Sequence, residues 1–306
     1  GTQMLWRNPK GFNPKSGEYV LIKIPWLKHG GDQWHPYSIY LREATKEGLN
    51  QVLEDRNSNN DLSALDEETA YESLDAFIDV VSKSHFLSSI SLSNLVLEEA
   101  RVDNKFNTTQ VFISPIGDWS RGLLNEVVCR KQQRSCWVRG PFKSPYFIAH
   151  DFNHITLIAS GIGVTPALGV MGQYPGLSRT KILVWLTRSK SMLKFFAPLL
   201  RDAHLSVVFY TGKEELSKYE LMQIQSHGNI YIQQSRPKSL TGTIEDTIVS
   251  FENRMNNSSD RLSQVDKYHK ATWCLLYCGG SVNIKHQLEQ FASEKGLGWE
   301  SEVFNW

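Results

Sequence analysis

The sequence predicts two domains of different class: an antiparallel β barrel, then a doubly wound parallel α/β domain. Three observations carry this. Short apolar runs broken by turn residues fill residues 1–43 and return from Gln110. From about residue 151, apolar runs alternate with segments of helical period, the pattern of a parallel sheet. Between the two halves, Ile155-Thr156-Leu157-Ile158-Ala159 reads as a strand buried on both faces and runs straight into a glycine turn. The boundaries expected are 1–150 for the barrel and 151–306 for the α/β domain, and 306 residues suffice for two cores.

Composition excludes several function classes. Lys+Arg 33 against Asp+Glu 32 leaves no basic footprint for nucleic acid or an anionic membrane. Cys129, Cys136, Cys274 and Cys278 have neither zinc-ribbon nor redox spacing, so they read as reduced thiols, and no metal site is expected. The sequons at Asn107 and Asn257 matter only in a secreted chain. No run of about 20 apolar residues occurs and no signal peptide precedes the first strand, so a soluble chain is expected. Gly1-Thr2-Gln3 passes at once into the strand-like Met4-Leu5-Trp6, as in a fragment cut from a longer protein.

In chain order, Asn8–Gly11 and Pro14–Gly17 are turns, Tyr19–Ile24 a strand ended by Pro25, and Trp34–Ile39 a further strand. Residues 44–107 are polar, acidic and Asn-rich at their start, and read as an insertion. Leu65, Leu74, Phe77, Ile78 and Val81 give it a helix over Leu65–Ser82 that packs on the barrel; a regulatory or partner-binding element is the alternative. Barrel character resumes with strand Gln110–Ile116, helix Arg121–Arg130, strand Cys136–Val138 and the turn Arg139–Phe142. The second domain then reads as helix 166–173, strand Lys181–Leu186, helix Ser191–Leu200, strand Leu205–Tyr210, helix Glu215–Gln225 and strand Ile230–Gln234. A second polar insertion, about 237–270, holds a helix over Ile244–Met255. Strand Thr272–Tyr277 and helix Asn283–Lys295 follow, and the chain closes on Trp299–Trp306.

The chemistry concentrates at Gly161-Ile162-Gly163-Val164-Thr165-Pro166. Glycines let backbone approach an anion, and the unpaired N–H groups and positive end of the following helix face it. Pro166 suits a first helical turn, where its missing N–H costs nothing. Taken alone, the turn also fits an ordinary βα connection, so the rest of the chain decides.

That rest resembles the cytosolic dehydrogenase domain of NADPH oxidases and ferric reductases, within the ferredoxin-NADP reductase superfamily. Trp34-His35-Pro36-Tyr37-Ser38 is similar to the family's WHPFT/S, Ile116-Gly117-Asp118-Trp119-Ser120 to VGDWT, and Arg139–Phe142 to its GPF turn. Gly161–Pro166 matches GIGVTP residue for residue, and Cys278-Gly279-Gly280 is similar to CGP. Weaker likenesses are Trp185-Leu186-Thr187-Arg188 to WLCR, Ser235-Arg236-Pro237 to GRP, and Glu302-Val303-Phe304 to a terminal ENF.

The resemblance implies FAD and NADPH as cofactors. FAD would be cradled by His35, Pro36, Tyr37 and Ser38, with Tyr37 against the flavin ring, and by Ile113, Gly117 and Ser120 near its pyrophosphate. The family arginine three residues before Gly117 is replaced by Ser114, which implies weaker FAD binding unless Arg121 substitutes. Gly161, Gly163, Thr165 and Pro166 would meet the NADPH pyrophosphate. Arg188, Ser189 and Arg236 would take its 2′-phosphate, because Leu186–Lys190 has no acid for a ribose 2′-OH. Cys278 and Gly279 would lie beside the nicotinamide, and Phe304, or by position Trp306, would cover the flavin.

Hydride would pass from NADPH to FAD. Electrons would go on to haems of a transmembrane domain of the same full-length protein, absent from this chain, at the cytosolic face of a membrane. The final acceptor implied is oxygen, giving superoxide; ferric ion is the alternative. A soluble ferredoxin- or flavodoxin-type reductase, and a degenerate binding module without FAD, are the competing readings.

Overall fold

The computed structural model describes residues 2–8, 11–41, 78–82, 108–130, 134–173, 180–226, 229–258 and 273–303. The chain divides into two compact units, Gly1–Phe142 and Lys143–Trp306.

The first unit contains two three-stranded antiparallel-type sheets. In one, β1 (Thr2–Arg7) lies between β4 (Ile78–Ser82) and β5 (Thr108–Ile113), antiparallel to both. In the other, β2 (Glu18–Lys23) pairs antiparallel with β3 (His35–Ser38) and is flanked by β6 (Trp137–Lys143). A bridge from Tyr40 to Gln110 joins the segment after β3 to β5. Side chains two apart turn inward, as the period of a half-buried strand requires. Met4 and Trp6, Val20 and Ile22, and Val111 and Ile113 meet Trp119 and Leu123 of helix α1 (Asp118–Arg130) in one core.

Two expectations change here. Ile78–Ser82 is a strand, not the end of a helix: its β-branched residues Ile78, Val80 and Val81 suit a ladder beside β1 better than a helix. Residues 65–77 lie outside the described residues. Helix α1 also begins at Asp118, so Trp119 and Ser120 belong to its first turn.

The second unit is built on six parallel strands: β7 (His154–Ser160), β8 (Thr180–Thr187), β9 (Leu205–Tyr210), β10 (Ile230–Gln233), β11 (Trp273–Gly279) and β12 (Gly298–Val303). Their order is β10-β9-β8-β7-β11-β12. The chain winds outward from β7 through helices α2 (Val164–Gln173), α3 (Lys190–Leu200) and α4 (Lys218–Gln225). Helix α5 (Leu240–Ser258) then returns it to the other side of β7, and α6 (Val282–Lys295) leads to β12. Central strands buried on both faces carry unbroken apolar runs, as in Trp273–Cys278. Ile244, Ile248, Leu288 and Phe291 of α5 and α6 close one face over Val184, Phe209 and Leu275.

β12 is a strand where the sequence reading saw only a chain end. A 3₁₀ turn, Pro145–Asp151, opens the unit. Ser144 caps it, and the Tyr146 hydroxyl lies 3.3 Å from the Leu276 carbonyl and 3.5 Å from that of Ile158.

Candidate functional site

In a doubly wound sheet, the strand order reverses at one point, and there the connections leave in opposite directions and open a crevice at the carboxyl ends. In the second unit that point lies between β7 and β11, which are adjacent and parallel. Two glycine-bearing segments flank it: Gly161–Gly163, a 3₁₀ turn after β7, and Gly279-Gly280, where β11 ends.

Steric need explains both. A Cβ on Gly163 would collide with the Cys278 carbonyl oxygen. One on Gly279 would lie 2.6 Å from Ser160 Cβ and 2.7 Å from the Tyr277 hydroxyl. Gly161 sits at φ +57, the left-handed region that favours glycine. The turn thus brings bare backbone into the crevice, and α2 begins directly behind it.

Helix ends separate this site from its neighbours. Ser189 accepts from the Met192 N–H (3.1 Å) at the start of α3, and Ser281 from the Ile284 N–H (3.3 Å) at the start of α6. Ser160, before the Gly161 turn, makes no such cap. A diphosphate fits this arrangement: a cradle that only glycine permits, behind a positive helix end. Thr165 and Pro166 lie in the first turn of α2, and the Thr165 side chain is buried.

Arg188 is exposed just past β8, and Arg236 is exposed past β10. Lys190, at the first position of α3, pairs with Glu220 of α4 at 3.0 Å and donates to the Glu215 carbonyl at 3.0 Å; Lys194 pairs with the same Glu220. These contacts, with the Ser217 backbone, hold the Glu220 carboxyl well below its usual range. The two lysines were not among the expected site residues. The approach of α3 and α4 brings them onto Glu220.

Cys278 is fully buried, and burial pushes its thiol well up, with Glu302 adding to the effect. It therefore stays a neutral thiol and meets the glycine turn through its backbone carbonyl. Glu302 stands opposite Cys278 in the β11–β12 register. Its Oε2 is buried without a hydrogen-bond partner, and burial raises its carboxyl pKa. The sequence reading met Glu302 only as part of a motif. Phe304 and Trp306 lie outside the described residues.

In the first unit, His35, Pro36, Tyr37 and Ser38 form β3. The His35 ring lies tilted against Trp119, centroids 4.1 Å apart, and Tyr37 stacks on the same ring at 6.0 Å. His35 Nε2 is buried without a partner, and burial lowers the imidazole pKa. An acceptor or donor supplied from outside would satisfy that nitrogen, so β3 fits a polar ligand edge. Other expected residues are already engaged. The Ser120 hydroxyl accepts from the Gly117 N–H at 3.1 Å and donates to the Gly117 carbonyl at 3.0 Å. Arg121 pairs with Asp118 at 2.8 Å and donates to the Ile116 carbonyl at 2.7 Å. The Ile113 side chain points into the core, leaving only its backbone for a ligand.

Fold and crevice together define a two-unit protein whose second unit carries a glycine-lined crevice at the switch point of a parallel sheet. No protein-family model matches the chain. Among solved structures it is similar to full-length CYP116B46 from Tepidiphilus thermophilus (15% identity, TM-score 0.48, covering 100% of this chain and 27% of that one). It is also similar to the Amycolatopsis cytochrome P450 reductase GcoB (15% identity, TM-score 0.47, 99% and 65%). A third is ferredoxin-NADP+ reductase from Plasmodium falciparum with 2′P-AMP (10% identity, TM-score 0.44, 98% and 88%). The chain thus spans less than two thirds of the first two.

Proposed function

We propose that the chain is an NADPH-dependent flavin dehydrogenase unit of the ferredoxin-NADP reductase superfamily. The observation that carries the reading is the glycine cradle at the β7/β11 switch point, beside a β8 turn that offers Arg188 and no acid. Bound NADPH would supply a hydride and bound FAD would accept it, releasing electrons one at a time. The chain's own residues bind and aim. The Gly161–Gly163 turn and the start of α2 hold the diphosphate. Arg188 and Arg236 pair the 2′-phosphate, where Asp or Glu would select NADH. β3 of the first unit receives the flavin, with His35 Nε2 its unsatisfied polar atom. Geometry and not proton transfer is the protein's share, so no acid–base pair is required.

The finer reading extends to a whole protein. Likeness of the motifs to NADPH oxidases favours electron delivery to haems of a transmembrane domain of the same polypeptide, at a membrane's cytosolic face, and oxygen as acceptor. Ferric ion is the alternative. No described helix is long and apolar enough to cross a membrane, so that domain would lie elsewhere in the polypeptide. The self-satisfied Ser120 and Arg121 favour a second reading at the flavin side, a module that holds FAD weakly.

One anaerobic titration tests these. The protein is mixed with FAD, stripped of excess, and reduced with NADPH or NADH. Bound flavin should bleach with NADPH at concentrations where NADH is ineffective, and Arg188→Glu should shrink that preference about tenfold or more. Absence of bound flavin establishes the weak module, and bound flavin that neither nucleotide bleaches removes the dehydrogenase reading.

A further inference from the structure

Trp185, in the middle of the sheet, is fully buried and packs edge-on to Phe196. A buried tryptophan of this kind is ordinary core, except for its polar atom. The indole N–H donates to the Gly161 carbonyl at 2.9 Å. That same carbonyl also accepts the Val164 N–H as the turn closes into α2. Gly161 is held in the left-handed region, so its peptide could swing to other orientations at little steric cost, and no Cβ of its own restrains it. Two donors on one carbonyl leave it a single orientation.

We infer that Trp185 is the positioning residue of the anion cradle: its indole N–H holds the Gly161 carbonyl toward the sheet and so points the Ile162 N–H into the crevice. The step from one to the other is covalent. In a trans peptide the carbonyl of one residue and the N–H of the next lie on opposite sides of the C–N bond. With the carbonyl drawn to Trp185, the Ile162 N–H faces away from the indole, toward the side a diphosphate would occupy. Without the indole, Val164 alone would orient the turn. Trp185 touches no ligand in this account; it acts through backbone.

The inference rests on the nucleotide reading above, and its test separates the two. Equilibrium dialysis measures the affinity of NADP+, whose diphosphate meets the turn, and of adenosine 2′-monophosphate, which has no 5′-phosphate. Trp185→Phe keeps an aromatic ring and removes the donor. Trp273→Phe is the control: Trp273 is the other fully buried tryptophan of the sheet, and its indole donates to Glu252 at 3.0 Å. The expected result is an NADP+ dissociation constant about tenfold higher in Trp185→Phe, the size of one lost charge-assisted bond. Adenosine 2′-monophosphate binding should be unchanged in both variants, and NADP+ binding unchanged in Trp273→Phe.

Unchanged NADP+ affinity in Trp185→Phe overturns the inference and leaves the proposed function standing. So does an equal loss for both ligands, which marks a general packing defect. A native protein that binds neither ligand overturns the proposed function, and this inference with it. Should Trp185→Phe not fold, Trp185→Met, which also lacks a donor and fills irregular core space, carries the same comparison.

Discussion

Glu302 shows what a single residue owes to its surroundings. Its carboxyl is pressed into the carboxyl end of β12 with one oxygen unsatisfied, and burial raises its pKa above 4.5. A raised carboxyl favours the folded state fully below the unfolded pKa, and the advantage is lost as pH rises through the folded value. Glu302→Gln removes the charge and keeps the shape. Its urea stability should exceed that of the native protein at neutral pH, and the gap should close as pH falls toward 4.5; a gap independent of pH would count against a strained carboxylate. At this scale the sequence was most legible where backbone geometry demands a residue type. Gly161, Gly163 and Gly279 stand out in the sequence and again in space, since each answers to a positive φ or a steric contact. Lys190, Lys194 and Trp185 did not stand out as site residues, because their partners Glu220 and Gly161 lie far away in the chain.

Among elements, α2 is the one whose two ends do different work. Its start faces the crevice, while at its far end the buried Lys181 ammonium donates to the Met171 carbonyl at 2.8 Å. A cation there complements the helix dipole, yet burial lowers the Lys181 pKa from 10.5 to about 8. A base with a lowered pKa favours the folded state above the unfolded value and loses that contribution as pH falls through the folded one. Native stability relative to Lys181→Met should therefore rise between pH 8 and pH 10.5, read by urea unfolding at each pH; a flat difference would mean the ammonium carries no burial penalty. Elements buried on both faces were easy to read, as β7, β8 and β11 were. Two edge strands, β12 and β4, were not. β12 carries Glu300 and Glu302 and pairs on one side only, with β11, so its composition argues weakly for a strand. β4 borders β1 inside a polar stretch whose apolar spacing also fitted a helix.

On the scale of the whole molecule, the division into a barrel-like unit and a parallel α/β unit was readable because the two hydrophobic periods differ. The junction was less so: the compact units part at Phe142, and Pro145–Asp151 belongs to the second. Among the described residues, the core that α5 and α6 close consists of residues from Ile158 onward. Residues 143–306 produced alone should therefore unfold cooperatively by circular dichroism and keep the NADP+ affinity of the full chain. A fragment that remains unfolded would refute the independence of that core.

The sheet order has one more consequence, in time. β7 and β8 leave the ribosome early, but β11, the other neighbour of β7, follows more than a hundred residues later. Throughout that interval a central strand of the unit has one open edge, and parallel pairing over such a separation is slow. Nascent chains should thus be most prone to self-association after Gln233 and before Gly279 has emerged.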